Sequence, residues 1–159
     1  MTGNNLSHDF STTGITEPPG FLYVDHIAIA VCTGELENHV TMYKQIGFKE
    51  LHREEIEGID QVREVLLKIG DSPNLIQLLE PLSTDSPVQK QIDRNNGRGG
   101  LVHVGLRVKN AQAAFDFLKA EGFRIIDQEP RPGSRGTIVF FLHPKSHDDT
   151  SFGVLYEIV

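Results

Sequence analysis

The chain has 159 residues, of which 38% are hydrophobic and 23% are charged, and its formal net charge is −7. This length allows one domain with a sizeable core, and the negative charge argues against a nucleic-acid or anionic-membrane partner, because phosphate contacts require clustered Lys and Arg. Its single cysteine, Cys32, cannot form an internal disulfide. The sequence also lacks the run of 18 apolar residues that would predict a membrane span.

Residues 1–21 are rich in Ser, Thr, Asn and Gly, and Pro18-Pro19-Gly20 lies near their end. Such a composition buries too little apolar surface to offset the entropy of ordering, so we predict a flexible N-terminal arm. The arm lacks the basic and apolar regions of a secretory signal, which favours a cytoplasmic protein. Residues 22–159 are predicted to form a single domain.

The first strand is predicted at residues 22–31, where bulky and small side chains alternate. Ile27, Ile29 and Val31 would pack against helices, whereas His26, Ala28 and Ala30 would leave space for a ligand on the opposite face. The apolar spacing of Leu36, Val40 and Tyr43 then predicts a helix that ends at Gly47. Three further strands are predicted at residues 48–55, 62–69 and 75–79.

Residues 81–100 are predicted to connect two halves through a short helix that begins at Ser86-Pro87. The order of elements then repeats, with strand 101–108, helix 111–121, residues 123–127 as the counterpart of 48–51, and strands 137–142 and 153–159. We therefore predict an α+β fold in which tandem βαβββ modules, residues 22–80 and 101–159, form half-barrels around a shared cleft. Neither module would bury its apolar face alone.

The repeat places four polar residues at equivalent strand positions, namely His26 and Gln77 in the first module and His103 and Glu157 in the second. If a pseudo-twofold axis relates the modules, these side chains converge. Two imidazoles, a carboxylate and an amide oxygen suit a divalent cobalt, manganese, nickel or zinc ion, with water at the open positions. Each residue also has a structural alternative: packed core histidines, a Gln77 bonded to backbone, and a Glu157 near an exposed C-terminus.

Several segments carry a resemblance to a known family: VDHIA at 24–28, LHREE at 51–55, NGRGGL at 96–101, FLHPKS at 141–146 and GVLYE at 153–157. In these segments the chain resembles the vicinal oxygen chelate superfamily, which includes glyoxalases and bleomycin-resistance proteins. Within it, the chain is most similar to the methylmalonyl-CoA epimerase family. Two features depart from that family: Val102 stands where a second histidine is common, and the loop at 147–152 is longer and acidic.

The resemblance implies that His26, Gln77, His103 and Glu157 bind the metal and that Glu64 is a catalytic base, with Glu157 as the second acid/base. It implies a metal-dependent isomerase that epimerises methylmalonyl-CoA, or a related 2-substituted acyl thioester, by removing and returning the α proton through a metal-stabilised enolate. From the residues alone, Glu64 is equally consistent with a solvated glutamate on an edge strand.

Substrate contacts are predicted for Lys145 and Ser146 on the same basis, although a Lys-Ser pair at the surface is commonly just solvated. The family likeness also suggests an acyl-CoA substrate and a homodimer. Two other functions fit the same fold: a glyoxalase-type isomerase similar to lactoylglutathione lyase, and a non-catalytic small-molecule-binding or resistance protein. A cavity-facing Glu64 discriminates, because a binding protein needs no base.

Overall fold

A computed structural model describes residues 20–145, 147 and 150–159. Most of the predicted N-terminal arm, residues 1–21, lies outside the described residues, so its flexibility stays a prediction. The described part of the chain contains these strands and helices: β1 (Phe21–Ala30), α1 (Leu36–Gln45), β2 (Phe48–Ile56), β3 (Val62–Ile69), β4 (Leu75–Pro81), α2 (Pro87–Arg94), β5 (Gly100–Val108), α3 (Ala111–Ala120), β6 (Arg131–Pro132), β7 (Ile138–Leu142) and β8 (Leu155–Ile158).

The strands form one eight-stranded sheet in the order β2-β3-β4-β1-β5-β8-β7-β6. β1 and β5 pair antiparallel at its centre, and each continues outward through a parallel partner, β4 for β1 and β8 for β5. The sheet curls into a half-barrel, which confirms the predicted α+β fold class.

Local sequence signals explain where the helices begin and end. Ser86 accepts a hydrogen bond from the backbone N–H of Val88 at the start of α2, and Asn110 accepts one from the N–H of Ala113 at the start of α3. After α1, Gly47 has a φ of 104°, a conformation that glycine adopts without the steric cost of a Cβ.

The core consists of three clusters of buried apolar side chains. One packs α1 on the first-module strands, a second packs α3 on β5, β7 and β8, and the third lies between α2 and the centre of the sheet. Ile29 and Val31 join the first cluster as expected. The prediction was wrong for Ile27, which is 38% exposed and belongs to none of the three clusters.

The second module repeats the first imperfectly. Residues 123–127, predicted as the counterpart of 48–51, form only an isolated bridge between Ile125 and Leu142. The following strand, β6, has only two residues. Pro130 and Pro132 explain its shortness, because proline offers no N–H to a sheet ladder.

None of the helices among the described residues is long and apolar enough to cross a membrane.

Replacing Leu78 by Ala is expected to lower the free energy of unfolding by about 2–5 kcal/mol, because Leu78 is fully buried and the truncation leaves a cavity. The matched control, Leu51→Ala, removes the same atoms from a side chain that is 56% exposed, and it should change stability by about 0.5 kcal/mol or less. Urea denaturation measures both. An equal decrease in the free energy of unfolding for the two variants would contradict the placement of Leu78 in the core cluster beneath α1.

Candidate active site

Strand register brings the four predicted metal ligands into adjacent rows at the centre of the sheet. Each row runs across three neighbouring strands and contains a polar residue from β4 or β8, which flank the central pair, then a small residue and a histidine from the central pair itself. The two rows are Gln77–Ala28–His103 and Glu157–Gly105–His26. In both modules the small residue follows the histidine of its strand by two positions. The two halves of the site therefore have equivalent registers, as expected from the sequence repeat.

Three of the four residues contact one another directly. The Nε2 atom of His26 lies 3.0 Å from Nε2 of His103 and 2.9 Å from Oε2 of Glu157, and His103 Nε2 lies 3.4 Å from the same carboxylate oxygen. Their side chains are only 2%, 7% and 12% exposed, in the order His26, His103, Glu157. The side chains form a buried cluster of donor atoms rather than unrelated packed residues.

Gln77 and Glu64 form the adjoining part of the site. The Nε2 group of Gln77 donates a hydrogen bond of 2.7 Å to Oε2 of Glu64, so Gln77 does not bond the backbone, as its structural alternative required. The Oε1 atoms of both side chains are buried without a hydrogen-bond partner. An orphaned buried oxygen is costly unless a ligand satisfies it, which is what a metal ion or a substrate would do here.

Glu64 is 1% exposed and lies on β3, an interior strand between β2 and β4, so it is not a solvated glutamate at a sheet edge. Burial raises the pKa of its carboxyl above the ordinary value, and the hydrogen bond from Gln77 and the nearby polar group of Ser134 offset this only in part. A carboxylate with a raised pKa is a stronger base than an exposed one.

His26 is oriented by a buried carboxylate, Asp25, that sequence reasoning missed. The β1–β5 register shifts between Val24 and His26, and this bulge leaves Asp25 and His26 both buried. His26 Nδ1 lies 2.8 Å from Asp25 Oδ2. Asp25 is a charged residue in an apolar strand and lies directly before a candidate ligand. This position in the sequence could have identified it as part of the site.

Two arginines neutralise Asp25. Arg107 donates to Oδ1 through Nε and Nη2, at 3.0 and 2.8 Å, and Arg135 Nη2 lies 3.3 Å from Oδ2. Burial would raise the pKa of Asp25, but the hydrogen bonds from His26 and Arg107 outweigh it and lower the pKa to about 2. Asp25 is therefore an ionised acceptor behind the imidazole.

Charge at the cluster favours a cation. Burial would lower the pKa of His26, but its hydrogen bonds to Asp25 and Glu157 outweigh burial and raise the pKa to about 9. The pKa of Glu157 is well below its ordinary value, because hydrogen bonds from His103 and His26 outweigh the opposing effect of burial. These shifts indicate an electronegative position that stabilises positive charge.

Gly105 makes room for His26. A Cβ atom at this position would lie 2.2 Å from Cε1 of the His26 ring and 2.5 Å from Nδ1, closer than van der Waals contact allows. The imidazole therefore lies directly over the backbone of β5, and only glycine fits beneath it.

The donor set fits the predicted metal. Two imidazoles and a carboxylate already meet, and the unpartnered Gln77 Oε1 offers a neutral fourth oxygen. Mixed nitrogen and oxygen donors of this kind suit divalent transition ions. His26 also has the carboxylate partner behind its other nitrogen that metal-bound histidines usually have.

A cavity of about 1050 Å³ opens from this site, and Glu64, Gln77, His103 and Glu157 all line it. Lys145, one predicted substrate contact, lines the same cavity and is exposed. Its neighbour Ser146 lies outside the described residues. Both assignments stay predictions.

An ion-pair network that the sequence did not reveal lies in the lining of the same cavity. Arg131 donates to both carboxylate oxygens of Asp60, at 3.0 and 3.1 Å, and to Asp127 at 3.0 Å. It thereby joins the turn between β2 and β3 to the second module. Arg131 and Asp60 are 71 positions apart, and no local pattern links them.

Comparison with known proteins agrees with this geometry. The family model of the glyoxalase/bleomycin resistance protein/dioxygenase superfamily matches residues 25–141. The chain is 34% identical over 137 residues to the mitochondrial methylmalonyl-CoA epimerase of Dictyostelium discoideum, with 85% of this chain and 76% of that protein covered. It is 32% identical over 123 residues to the ethylmalonyl-CoA/methylmalonyl-CoA epimerase of Cereibacter sphaeroides, covering 77% and 88%.

Among solved structures, a Streptomyces coelicolor methylmalonyl-CoA epimerase variant in complex with 2-nitronate-propionyl-CoA superposes with a TM-score of 0.75, at 35% identity. The match covers 87% of this chain and 96% of that one. Because the Dictyostelium relative is named as mitochondrial, the cytoplasmic location expected from the sequence stays a prediction. The chain belongs to the glyoxalase/bleomycin resistance protein/dioxygenase superfamily, also known as the vicinal oxygen chelate superfamily, and within it to the methylmalonyl-CoA epimerase family of isomerases.

Proposed function

We propose that this protein is a divalent-metal-dependent epimerase that inverts C2 of methylmalonyl-CoA or of a related 2-substituted acyl thioester. The main support is the position of Glu64, a fully buried carboxylate with an unpartnered oxygen, on the same cavity as His103 and Glu157 of the His26–His103–Glu157 cluster. A binding protein has no need of a buried base at this point. The similar epimerase with an acyl-CoA analogue bound supports the substrate class.

His26, Gln77, His103 and Glu157 would hold the metal ion. When bound there, the ion would supply Lewis-acid stabilisation for the negative charge that develops on the thioester as the α proton leaves. Gln77 contributes no charge of its own. A divalent ion with Glu157 as its one carboxylate ligand would therefore stay positive, which favours an anionic transition state.

Glu64 would remove the α proton. The C–H bond breaks, the proton moves to the Glu64 carboxylate, and the electron pair moves into the thioester carbonyl. Burial that raises the pKa of Glu64 makes this transfer easier than it would be to an exposed glutamate. The hydrogen bond from Gln77 to Oε2 fixes the orientation of the carboxylate.

Inversion needs a proton to return on the opposite face, and Glu157 is the candidate for this second acid/base role. Because the pKa of Glu157 is low in the free protein, the carboxylate must first take up a proton before it can donate one. Glu64 lies on β3 and Glu157 on β8, separated by three strands of a curled sheet. The two carboxylates therefore approach the cavity from opposite halves of the half-barrel. A planar intermediate between them would be accessible to one carboxylate on each face.

The organisation of the chain is part of the same proposal. We infer a single domain over residues 22–159, composed of modules 22–80 and 101–159 with 81–100 between them, that works as a homodimer on acyl-CoA substrates. Sedimentation of the full chain measures the oligomeric state directly.

Metal-loaded protein is expected to incorporate deuterium at C2 of methylmalonyl-CoA in heavy water, as the α proton exchanges during epimerisation. Removal of the metal with a chelator should abolish the exchange, and readdition of cobalt or manganese should restore it. Proton NMR of the C2 position measures the exchange. A glutathione hemithioacetal serves as the comparison substrate. If the protein converts the hemithioacetal but exchanges no proton at C2 of methylmalonyl-CoA, a glyoxalase-type isomerase replaces the epimerase as the proposed function.

Glu64→Gln is expected to lower kcat by about 10²–10⁴-fold, because the variant keeps the shape of the side chain but loses its base. Metal binding, measured by titration calorimetry, should persist. The matched control is Glu55→Gln, which changes an exposed carboxylate on the neighbouring strand and should leave kcat unchanged. Full activity in the Glu64 variant would remove the base assignment.

Asp25→Asn is expected to weaken metal binding by about 10–100-fold, because the carboxylate behind His26 orients the ring and strengthens it as a ligand. Calorimetric titration with cobalt measures the dissociation constant independently of catalysis. Asp116→Asn, on the exposed side of α3, is the control and should bind cobalt as the unmodified protein does. Equal affinities for all three proteins would show that Asp25 has no such role.

A further inference from the structure

The cavity at the active site continues to a basic mouth. Its inner end is lined by Glu64 and Glu157, and its lining also includes Arg94 and Arg98, at the end of α2 and in the following turn, and Lys145. All three cations are exposed. Three exposed cations on the lining of one cavity stand out in a chain of net charge −7, because they create a local field opposite to that of the whole protein.

These cations are available for a ligand. Arg94 Nε donates to the backbone oxygen of Lys90 at 3.2 Å, and Arg98 Nε donates to that of Asn95 at 3.4 Å. Within the described residues, no carboxylate pairs with Arg94, Arg98 or Lys145. Both guanidinium groups therefore keep their terminal N–H donors free, unlike Arg131, which Asp60 and Asp127 occupy.

The turn that carries Arg98 is held in place before any ligand binds. The Nδ2 group of Asn95 donates to the backbone oxygens of Arg98, at 3.1 Å, and Gly99, at 3.0 Å. Gly99 packs so closely on β1 that a Cβ atom there would lie 2.2 Å from the carbonyl oxygen of Ala30. The backbone of the turn is thus fixed to the strand that carries His26.

We propose that Arg94 and Arg98 bind the phosphates at the nucleotide end of the acyl-CoA substrate. This inference rests on the proposed function, because it assumes that the thioester end of the same molecule lies at Glu64. The cavity of about 1050 Å³ is at the upper end of the range for small-ligand sites, and a methylmalonyl group alone would leave most of it empty. Guanidinium groups match phosphate oxygens in charge and in fork geometry.

The test compares two thioesters with the double variant Arg94→Gln/Arg98→Gln. With methylmalonyl-CoA, KM is expected to rise by about 10–100-fold, because two charge-assisted hydrogen-bonding groups are lost. With methylmalonyl-pantetheine, which has no phosphate, KM should equal that of the unmodified protein. Lys90→Gln is the control: it removes an exposed cation from the same helix that does not line the cavity, and it should change neither KM.

An unchanged KM for methylmalonyl-CoA in the double variant overturns the proposal. If the unmodified protein epimerises neither thioester, the proposed function fails, and titration with CoA itself then decides the phosphate site. Weaker CoA binding by the double variant than by the Lys90→Gln control would support the site, whereas equal binding, or no CoA binding by the unmodified protein, would overturn it.

Discussion

The buried contact between His26, His103 and Glu157 is the constraint on which the centre of this fold depends. Two imidazoles and a carboxylate within 3.4 Å of one another would be costly to bury unless charge and hydrogen bonds were matched. Asp25 and Arg107 supply that matching behind His26, and Gly105 supplies the space. The residues of the central strand pair β1–β5 therefore serve the charged site as much as the packing of the core.

The same strand pair explains why one cavity has two different ends. Small residues along β1 and β5 leave the face of the sheet open, and α2 covers part of it with Val88 and Ile92. Glu64, His103 and Glu157 line the buried end of the cavity, whereas the last residue of α2, Arg94, and the following turn, with Arg98, line its exposed end. A substrate with a small reactive acid at one end and phosphates at the other matches this gradient in charge.

Much of this arrangement follows from the sequence, because the pattern of the repeat is strong. Strand 62–69 has the predicted bounds, and the equivalent positions of His26 and His103 were enough to anticipate their contact. Asp25 was harder to predict: its position directly before His26 is a signal, but strict alternation places it on the face opposite His26, and only a bulge turns both residues inward. Another register shift, between Ala28 and Ile29, leaves Val102 as an extra residue in β5. Val102 directly precedes His103, as Asp25 directly precedes His26. The link between Arg131 and Asp60 depends on the curl of the sheet, which alternation does not encode.

The coordination of the metal itself tests the assignment of the site most directly. X-ray absorption spectroscopy of the protein loaded with one equivalent of cobalt reports the donor atoms around the ion. We expect two imidazole nitrogens with oxygen donors completing the shell, and the loss of one imidazole in the His103→Ala variant. A shell without imidazole, or a spectrum that His103→Ala leaves unchanged, would contradict the assignment of this site.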